Sequence, residues 1–452
     1  MIVDFVIKNY RSFKNEQVLS SYVGKVSSPN AHVLKEHPEY LSFLPNESVT
    51  SLGLLRTIAI YGANAAGKSN TISAMVALGQ LLRTSTSLEE GESIAQYDPY
   101  LLDNASKKTP TQFEVEFFCN VKLDHLPQKT VNPVRFLYQI EFNSKKILSE
   151  SLSFFSGNNR AILLFDRTEE DTWETIRFSN YYKGGQRKIP FFPNQSYLSK
   201  AGSTAAAPNF IREVYRYLTR QIICITGSSL WGERRLSEDQ KEQLETVGEL
   251  LHLIDTGVET VSVTSIRPSV LEKYKQAIPT EVFINQLTQR LYFNHLASDG
   301  SVVKMDPKHV SEGTLRFFNF TFYLLEVLKR GLVVFFDELE SQFHPEIVRL
   351  IVRLFNDPRV NTNHAQLFFT THSVDLMKPE IFRRDQVWFA EKQDGATKLY
   401  SISDFEGAKV RSNSPYAEWY LEGRFGALPQ VNYLTIADFL VDQLSQGSNN
   451  AA

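Results

Sequence analysis

The sequence predicts an α/β fold with a mixed sheet, because short apolar runs alternate along the chain with segments of helical spacing. Three of these runs lie at residues 57–61, 332–336 and 366–372. Continuous apolar runs are typical of parallel strands that are covered on both faces. The first run leads into a glycine-containing loop, and helical spacing follows at residues 70–78. This order of strand, loop and helix is the context that a phosphate-binding loop requires.

The composition is that of a globular protein with no general affinity for nucleic acid. A length of 452 residues exceeds one ordinary domain, so two or three lobes are expected. The formal net charge is −3, so a contact with DNA or RNA would need a local basic patch. Cys119 and Cys224 are the only cysteines, too few for a disulfide framework or a cysteine-rich metal site.

The sequence also argues against an export signal or a membrane segment. Residues 1–5 contain an acid, and no basic region leads into an apolar stretch. The most apolar region, at 315–336, is interrupted by charged side chains and does not resemble a membrane span. The sequence therefore predicts a cytoplasmic protein without a membrane partner.

Residues 62–69 match the phosphate-binding pattern G-x-x-x-x-G-K-[ST] in full. Glycines in such a loop let backbone N–H groups turn toward a phosphate at the positive end of the following helix. Lys68 would reach the β- and γ-phosphates, and the Ser69 hydroxyl would bind Mg²⁺. A glycine turn of purely structural purpose is the alternative. The pattern predicts a site for ATP and Mg²⁺ formed by Gly62, Asn64, Ala65, Ala66, Gly67, Lys68, Ser69 and Asn70.

Two carboxylates follow the apolar run at 332–336. Asp337 could hold the magnesium ion, and Glu338 could orient and deprotonate an attacking water. Without the phosphate loop, an ordinary acidic strand end would be the better interpretation. A glutamate directly after the magnesium aspartate favours hydrolysis over transfer to a substrate, which argues against a P-loop kinase.

His372 ends the run at 366–372. In a parallel sheet, the ends of the strands lie on the side where nucleotide binds. The imidazole could hydrogen-bond the γ-phosphate or the attacking water, whereas a lone histidine is more often a structural group. Its position relative to the acidic strand favours a catalytic role.

Ser311, Glu312, Gly313 and Thr314 precede the helix that leads to the acidic strand. A small hydroxyl residue and a glycine at a helix start make an anion site. The same residues also fit a plain N-cap without a ligand, so this segment taken alone leaves both interpretations open.

In this order, the four elements resemble the ABC-type ATPases of the SMC and RecF kind. The opening strand and turn are similar to that family's opening segment, and the resemblance adds Asn9, Arg11 and Ser12 to the expected ATP contacts. Residues 311–314 are similar to its signature sequence, and 337–345 to its second phosphate-site motif. The segment around the histidine is similar to its switch segment.

The resemblance implies an ABC-type head made of two half-domains, at 1–150 and 301–400. Residues 151–300 would form an inserted lobe, expected to be largely helical, with an α/β lobe as the alternative. Residues 401–452 would form a tail whose end, after Gln443, is disordered.

The resemblance also implies a homodimer, or a higher homo-oligomer, assembled through the ATP sites. ATP bound to Lys68 of one subunit would be covered by Ser311 and Gly313 of the other. Gln96 is the candidate for the glutamine that such ATPases place between their lobes, and an ordinary loop residue is the alternative.

The tail at 399–405 and 420–429 is similar to the end of the overcoming-lysogenization-defect (OLD) and RloA-like ATPases of bacterial defence. This similarity implies a sensor or regulator of antiphage defence that controls a separately encoded effector, a nuclease or a toxin. The chain ends too soon after His372 to hold the Toprim nuclease domain of many OLD proteins. It also lacks the heptads of an SMC coiled coil.

The main alternative is a DNA-repair or DNA-clamping ATPase of the RecF or SMC type. A basic groove and salt-sensitive DNA binding would distinguish it. The nucleotide-binding subunit of a transporter is a further alternative, and the large insertion after Lys68 argues against it.

Overall fold

The computed structural model confirms the mixed α/β class. It describes residues 1–25, 40–44, 52–122, 126, 130, 132–156, 160–227, 236–254, 256–265, 289–405, 414–429 and 432–449.

The strands are β1 Ile2–Lys8, β2 Gln17–Ser20, β3 Tyr22–Lys25, β4 Leu41–Leu44, β5 Leu52–Leu55, β6 Thr57–Tyr61, β7 Thr111–Cys119, β8 Val134–Phe142, β9 Ile147–Ser156, β10 Arg160–Thr168, β11 Arg177–Phe178, β12 Ile222–Ile225, β13 Thr260–Ser265, β14 Gln289–Leu296, β15 Val302–Met305, β16 Val333–Phe336, β17 Gln366–Thr370, β18 Val387–Gln393 and β19 Ala396–Ser401. The helices are α1 Lys68–Thr84, α2 Tyr197–Gly202, α3 Asn209–Arg216, α4 Glu238–Glu242, α5 Leu244–Leu253, α6 Glu312–Arg330, α7 Leu339–Gln342, α8 Pro345–Asn356, α9 Tyr416–Leu421 and α10 Tyr433–Asn449.

A six-stranded central sheet contains all three predicted apolar strands. Its order is β12-β16-β17-β6-β18-β19, and every neighbouring pair is parallel except β18 and β19. Residues of β6 alternate between two hydrophobic clusters: Ile58 and Ile60 belong to one, and Ala59 and Tyr61 to the other. Both faces of the sheet are therefore covered, which explains why its strands are apolar throughout.

A seven-stranded antiparallel sheet packs on the far side of α1. Its order is β11-β10-β9-β8-β7-β1-β2. The buried side chains of α1, such as Ile72 and Leu78, share one cluster with Phe113 and Phe136 of this sheet and with Phe368 of the central sheet. Helix α1, which follows the phosphate loop, is thus held between two sheets.

The described part of 151–300 contains both helices and strands, so it agrees with the α/β alternative and is not largely helical. Strand β9 crosses the predicted boundary at residue 150, and β10 and β11 extend the same antiparallel sheet. Strand β12 joins the central sheet, and β13, β14 and β15 form a small sheet of their own. The place of β12 in the central sheet depends on its pairing with β16, a distant segment that local patterns do not reveal. The division into domains stays a prediction.

The end of the chain is helical rather than disordered as far as Asn449. Helix α10 includes residues 444–449, for which the sequence predicted disorder. Its apolar side chains Leu434, Phe439 and Leu440 are largely exposed. Apolar residues at helical spacing account for the helix. The residues after Gln443 are mostly polar, which is why the sequence predicted disorder there. Within the described residues, no helix is long and apolar enough to span a membrane.

The side chain of Gln366, at the start of β17, joins the two large sheets. It is fully buried, and its Oε1 accepts a hydrogen bond from the Ile2 backbone N–H at 2.6 Å. Its Nε2 donates to the carbonyl oxygens of Ile2 and Leu55, both at 3.0 Å. The first strand of the chain is thereby tied to the central sheet.

We predict that Gln366→Leu lowers the free energy of unfolding by about 2–4 kcal/mol, because the buried Ile2 N–H and the Leu55 carbonyl oxygen lose the hydrogen bonds that Gln366 makes to them. Urea denaturation would measure the change. Gln393→Leu, at an exposed position on β18, is the control and should change stability by less than about 0.5 kcal/mol. Equal stability of the two variants would contradict the bridging role.

Candidate functional site

Three parallel strands of the central sheet end side by side. Strand β6 ends at Tyr61, β16 at Phe336 and β17 at Thr370. The pairing of Phe336 with Phe369 and of Thr370 with Ile60 puts these ends at one edge of the sheet. From this edge the chain continues into the phosphate loop, the acidic pair and the histidine segment. The parallel register therefore brings together three motifs that are far apart in the sequence.

The phosphate loop leaves the sheet in a conformation that favours residues with little or no side chain. Gly62, Ala65 and Gly67 have φ angles of 148°, 62° and 109°. A Cβ atom at Gly62 would lie 2.2 Å from the Ala390 carbonyl oxygen, and one at Gly67 would lie 2.2 Å from Thr397 Oγ1. The loop is thus packed tightly against the hairpin of β18 and β19, which explains both glycines.

Helix α1 begins at Lys68, and no side chain caps its first turn. Its first backbone N–H groups are therefore available to an anion. The Lys68 ammonium donates hydrogen bonds to the carbonyl oxygens of Gly62 and Ala63, each at 3.0 Å. Ser69 is exposed beside it. These contacts fold the lysine back over the loop that a phosphate would enter.

Lys68 faces the acidic side chains across the edge of the sheet. Burial lowers the pKa of Lys68, and the negative charges of Glu338, Glu340 and Asp337 oppose that shift. The structure therefore brings the predicted phosphate lysine and the predicted acidic pair into one electrostatic cluster. Glu340 is a third carboxylate in it, which the sequence analysis did not assign.

Thr370 links the two members of the acidic pair. Its hydroxyl donates to Asp337 Oδ1 at 2.7 Å and accepts from the Glu338 backbone N–H at 2.7 Å. Glu338 has a φ of 53° and a ψ of 61°, and non-glycine residues in this left-handed region concentrate at functional sites. The Glu338 side chain is exposed, so the carboxylate predicted to act on water is accessible.

His372 lies in the same cluster. Burial lowers its pKa, and the positive charge of Lys68 lowers it further, whereas the three carboxylates oppose the shift. A pKa below the usual value of about 6.5 keeps the imidazole neutral at physiological pH. The ring can then accept one hydrogen bond and donate another, as the predicted contact with a γ-phosphate or a water requires.

The turn after β1 reaches the phosphate loop through Ser12. Its hydroxyl accepts hydrogen bonds from Asn70 Nδ2 at 2.8 Å and from Thr397 Oγ1 at 2.7 Å. Thr397 Oγ1 also lies 2.8 Å from the Ala66 carbonyl oxygen. The predicted contacts Ser12 and Asn70 are therefore adjacent to the loop, as expected from the resemblance.

Arg11 and Asn9 differ in their surroundings. The Arg11 guanidinium is exposed and pairs with Asp98 at 2.9 Å, so it stays a predicted ATP contact. The buried amide of Asn9 instead donates to the Thr109 carbonyl oxygen at 2.7 Å and accepts from the Tyr100 N–H at 3.1 Å. Both ends of this amide are thus occupied within the chain and support the turn, and a contact of Asn9 with ATP stays a prediction.

The predicted signature segment forms the exposed start of α6. The Ser311 hydroxyl caps the helix by accepting from the Thr314 N–H at 3.1 Å, and Glu312 pairs with Arg316. The hydrogen bonds and ion pairs that the structure describes for Ser311, Glu312 and Thr314 all lie within the start of α6. Gly313 is exposed. A role in trans stays a prediction, and the N-cap interpretation holds for the single chain.

Several supporting residues had weak or no sequence signals. Thr370 is a hydroxyl residue at the end of a largely apolar strand. That pattern could have predicted a polar contact at the edge of the sheet. Thr397 belongs to a hairpin more than 300 positions after the loop that it contacts, and no local pattern marked it. The guessed Gln96 lies, partly buried, in a turn near Asp98, and its role stays a prediction.

Residues 234–378 match a family model described as "AAA domain, putative AbiEii toxin, Type IV TA system". The match covers less than half of the chain. It includes Ser311, the acidic pair and His372, and it excludes the phosphate loop. No curated protein matches this chain in sequence.

Solved structures similar to this chain include SMC heads and RecF. The Smc head domain with a coiled coil and joint from Pyrococcus yayanosii is 10% identical with a TM-score of 0.41, over 94% of this chain and 99% of that one. The SMC head domain from Thermotoga maritima is 12% identical with a TM-score of 0.35, over 88% and 98%. The recombination mediator protein RecF-ATPrS in the RecFOR pathway is 12% identical with a TM-score of 0.36, over 88% and 98%.

The left-handed conformation of Ala65 leads to a stability prediction. Ala65→Gly should raise the free energy of unfolding by about 0.5–1 kcal/mol, because relief of about 1–2 kcal/mol of strain exceeds the entropy that glycine adds to the unfolded chain. Thermal denaturation would measure the change. Ala63→Gly, in the same loop without a positive φ, should lower stability by about 0.4–1 kcal/mol. The same sign for both variants would contradict the assigned loop conformation.

Proposed function

We propose that this chain binds ATP and hydrolyses it with the help of Mg²⁺. The proposal rests on one observation: the phosphate loop, the acidic pair and His372 meet where β6, β16 and β17 end. The loop supplies backbone N–H groups and an ammonium for the phosphates. The opposite side supplies carboxylates for a cation and for a water, so the two sides together match the needs of phosphoryl transfer to water.

Lys68 is the proposed phosphate ligand. In the structure its ammonium is held by two carbonyl oxygens of the loop, which are neutral acceptors. Phosphate oxygens are charged acceptors and form the stronger hydrogen bonds. We therefore expect Lys68 to exchange its loop contacts for the β- and γ-phosphates.

Ser69 and Asp337 are the proposed ligands of Mg²⁺. A hydroxyl and a carboxylate are hard oxygen donors of the kind that Mg²⁺ prefers. Thr370 holds one oxygen of Asp337, which fixes the orientation of the carboxylate. When bound, the ion would neutralise charge on the phosphates.

Glu338 is the proposed general base, and His372 is proposed to contact the γ-phosphate or the water. The exposed Glu338 carboxylate can accept a proton from a water, and its backbone is fixed by Thr370. The neutral imidazole of His372 can donate a hydrogen bond toward the γ-phosphate. Both side chains come from strand ends that are parallel neighbours, so their separation is set by the sheet.

Asn64, Ala65 and Ser69 of the phosphate loop are exposed in the single chain. Ser311 and Gly313 are exposed at the start of α6, whose first N–H groups favour an anion. We propose that these residues complete the ATP site of a second copy of the chain in a homodimer. Closing on ATP and opening after hydrolysis would then change the arrangement of the two subunits.

We further propose that this cycle serves as a sensor or regulator in bacterial antiphage defence, acting on a separately encoded effector. The description of the matched family, which names a putative toxin of a type IV TA system, is consistent with a role in bacterial defence. The tail at 399–405 and 420–429 supports it through its similarity to RloA-like proteins. A toxin or nuclease gene beside this one would strengthen the proposal.

Glu338→Gln should retain ATP binding and reduce kcat by about 10²–10⁴-fold, the usual contribution of a general base. Lys68→Ala should abolish nucleotide binding and serves as the binding-defective comparison. Phosphate release and titration with a fluorescent ATP analogue would measure the two effects. Normal hydrolysis by Glu338→Gln would remove Glu338 from the role of base, and unchanged ATP affinity in Lys68→Ala would overturn the site.

Ser311→Arg should prevent the ATP-dependent dimer while single-site ATP binding remains, because the larger side chain blocks closure. Light scattering of the Glu338→Gln protein with ATP, with and without Ser311→Arg, would measure the mass. Ser237→Arg removes another exposed serine N-cap, that of α4, and should leave dimerisation intact. Normal turnover by Ser311→Arg would show that the signature interpretation is wrong.

A further inference from the structure

Glu340 connects the ends of two strands that flank the candidate site. It lies in the short helix α7, directly after the acidic pair. One oxygen of its carboxylate, Oε1, accepts a hydrogen bond from the backbone N–H of His372. A side chain that follows β16 therefore holds the backbone that follows β17, at the residue proposed to contact the γ-phosphate.

The other oxygen of this carboxylate and the hydroxyl of Tyr61 are two unsatisfied polar atoms that are close enough for the Glu340 charge to act on the phenol. Glu340 Oε2 and Tyr61 Oη are both buried, and neither has a hydrogen-bond partner in the described part of the chain. Tyr61 is the last residue of β6 and is 1% exposed. Buried polar groups without partners are rare and costly, so two such atoms in one site call for an explanation.

The two atoms are chemically complementary. Burial raises the pKa of Tyr61 well above its usual range, and the nearby negative charge of Glu340 raises it further. The phenol is therefore protonated and is a hydrogen-bond donor. The carboxylate oxygen is an acceptor, so a hydrogen bond between the two groups, direct or through one water, would satisfy both.

Tyr61 is also the residue that precedes the phosphate loop. Gly62, the first residue of that loop, follows it directly, and Gly62 is held against the Ala390 carbonyl oxygen. A nucleotide that draws the loop and Lys68 onto its phosphates would act on Tyr61 through a single peptide bond. The tyrosine is thus the residue of the sheet that adjoins the loop.

We propose that Glu340 is a positioning residue that holds His372 in place, and that the Tyr61 hydroxyl completes this hold when nucleotide occupies the phosphate loop. The three strand ends of the site would then be joined through one carboxylate: β6 through Tyr61, β16 through Glu340 itself and β17 through His372. Occupation of the loop would align the histidine before water attacks. This inference rests on the proposed ATPase function.

The kinetic test compares Glu340→Ala, Glu340→Gln and Tyr61→Phe with the unaltered chain. Glu340→Ala should lower kcat by about 10–100-fold with KM for ATP changed less than about threefold, because misplaced catalytic groups affect the chemical step. Glu340→Gln keeps an oxygen acceptor for the His372 N–H and should recover part of the loss. Tyr61→Phe should lower kcat by a smaller factor, about three- to tenfold.

Two control variants distinguish the positioning role of Glu340 and Tyr61 from a general effect of removing a hydroxyl or a carboxylate. Tyr420→Phe removes a hydroxyl from a neighbouring ring that bonds to the Ala427 carbonyl oxygen instead, and Glu346→Gln removes an exposed carboxylate from α8. Both should keep kcat within about twofold. If Tyr61→Phe raises the melting temperature and leaves kcat unchanged, its hydroxyl is only an unsatisfied group and the proposed completion of the hold is wrong.

Hydrogen exchange measured by mass spectrometry tests the hold without relying on ATP turnover. The backbone around His372 should exchange faster in Glu340→Ala than in the unaltered chain, and Glu346→Gln should not change it. Unchanged exchange in Glu340→Ala would overturn the inference. If the unaltered chain fails to hydrolyse ATP, the proposed function fails, and the exchange result still decides whether Glu340 holds His372.

Discussion

The parallel pairing of β6, β17 and β16 is the constraint on which the site depends. Each strand is buried on both faces, so its alternating side chains must fit two different cores. A slip of one residue would exchange the two faces and is therefore strongly disfavoured. The same register decides where each strand ends. The positions of the loop, the acidic pair and the histidine are thus consequences of core packing.

The surrounding structure reinforces that edge with long-range contacts. Gln366 ties the start of β17 to the first strand of the chain, and Thr397 closes the hairpin of β18 and β19 onto the phosphate loop. Thr370 fixes both members of the acidic pair. Each of these side chains is buried and uses a single amide or hydroxyl to bind two partners or more. A preorganised site needs such supports, since small displacements of reacting groups are costly.

Local signals predicted the parts of the molecule whose structure is decided locally. The apolar runs became β6, β16 and β17, and the glycine pattern became a loop with two glycines at positive φ. The hydrogen bonds of the Asn9 amide and the assembly of the inserted strands into the two large sheets were not predicted, because both depend on contacts with distant segments. The last turns of helix α10 were predicted to be disordered because the residues after Gln443 are mostly polar. Thr370 and Glu340 can be read from the sequence, but their contacts with the acidic pair and with His372 follow only from the register of the strands.

We propose that phosphates bind where these three strands end, between Lys68 and the acidic pair. The most direct measurement is a structure of the chain with Mg²⁺ and a non-hydrolysable ATP analogue. We predict β- and γ-phosphates against Lys68 and the start of α1, with the metal between Ser69 and Asp337. A nucleotide bound elsewhere, or a Lys68 ammonium that keeps its loop contacts while nucleotide is present, would contradict the claim.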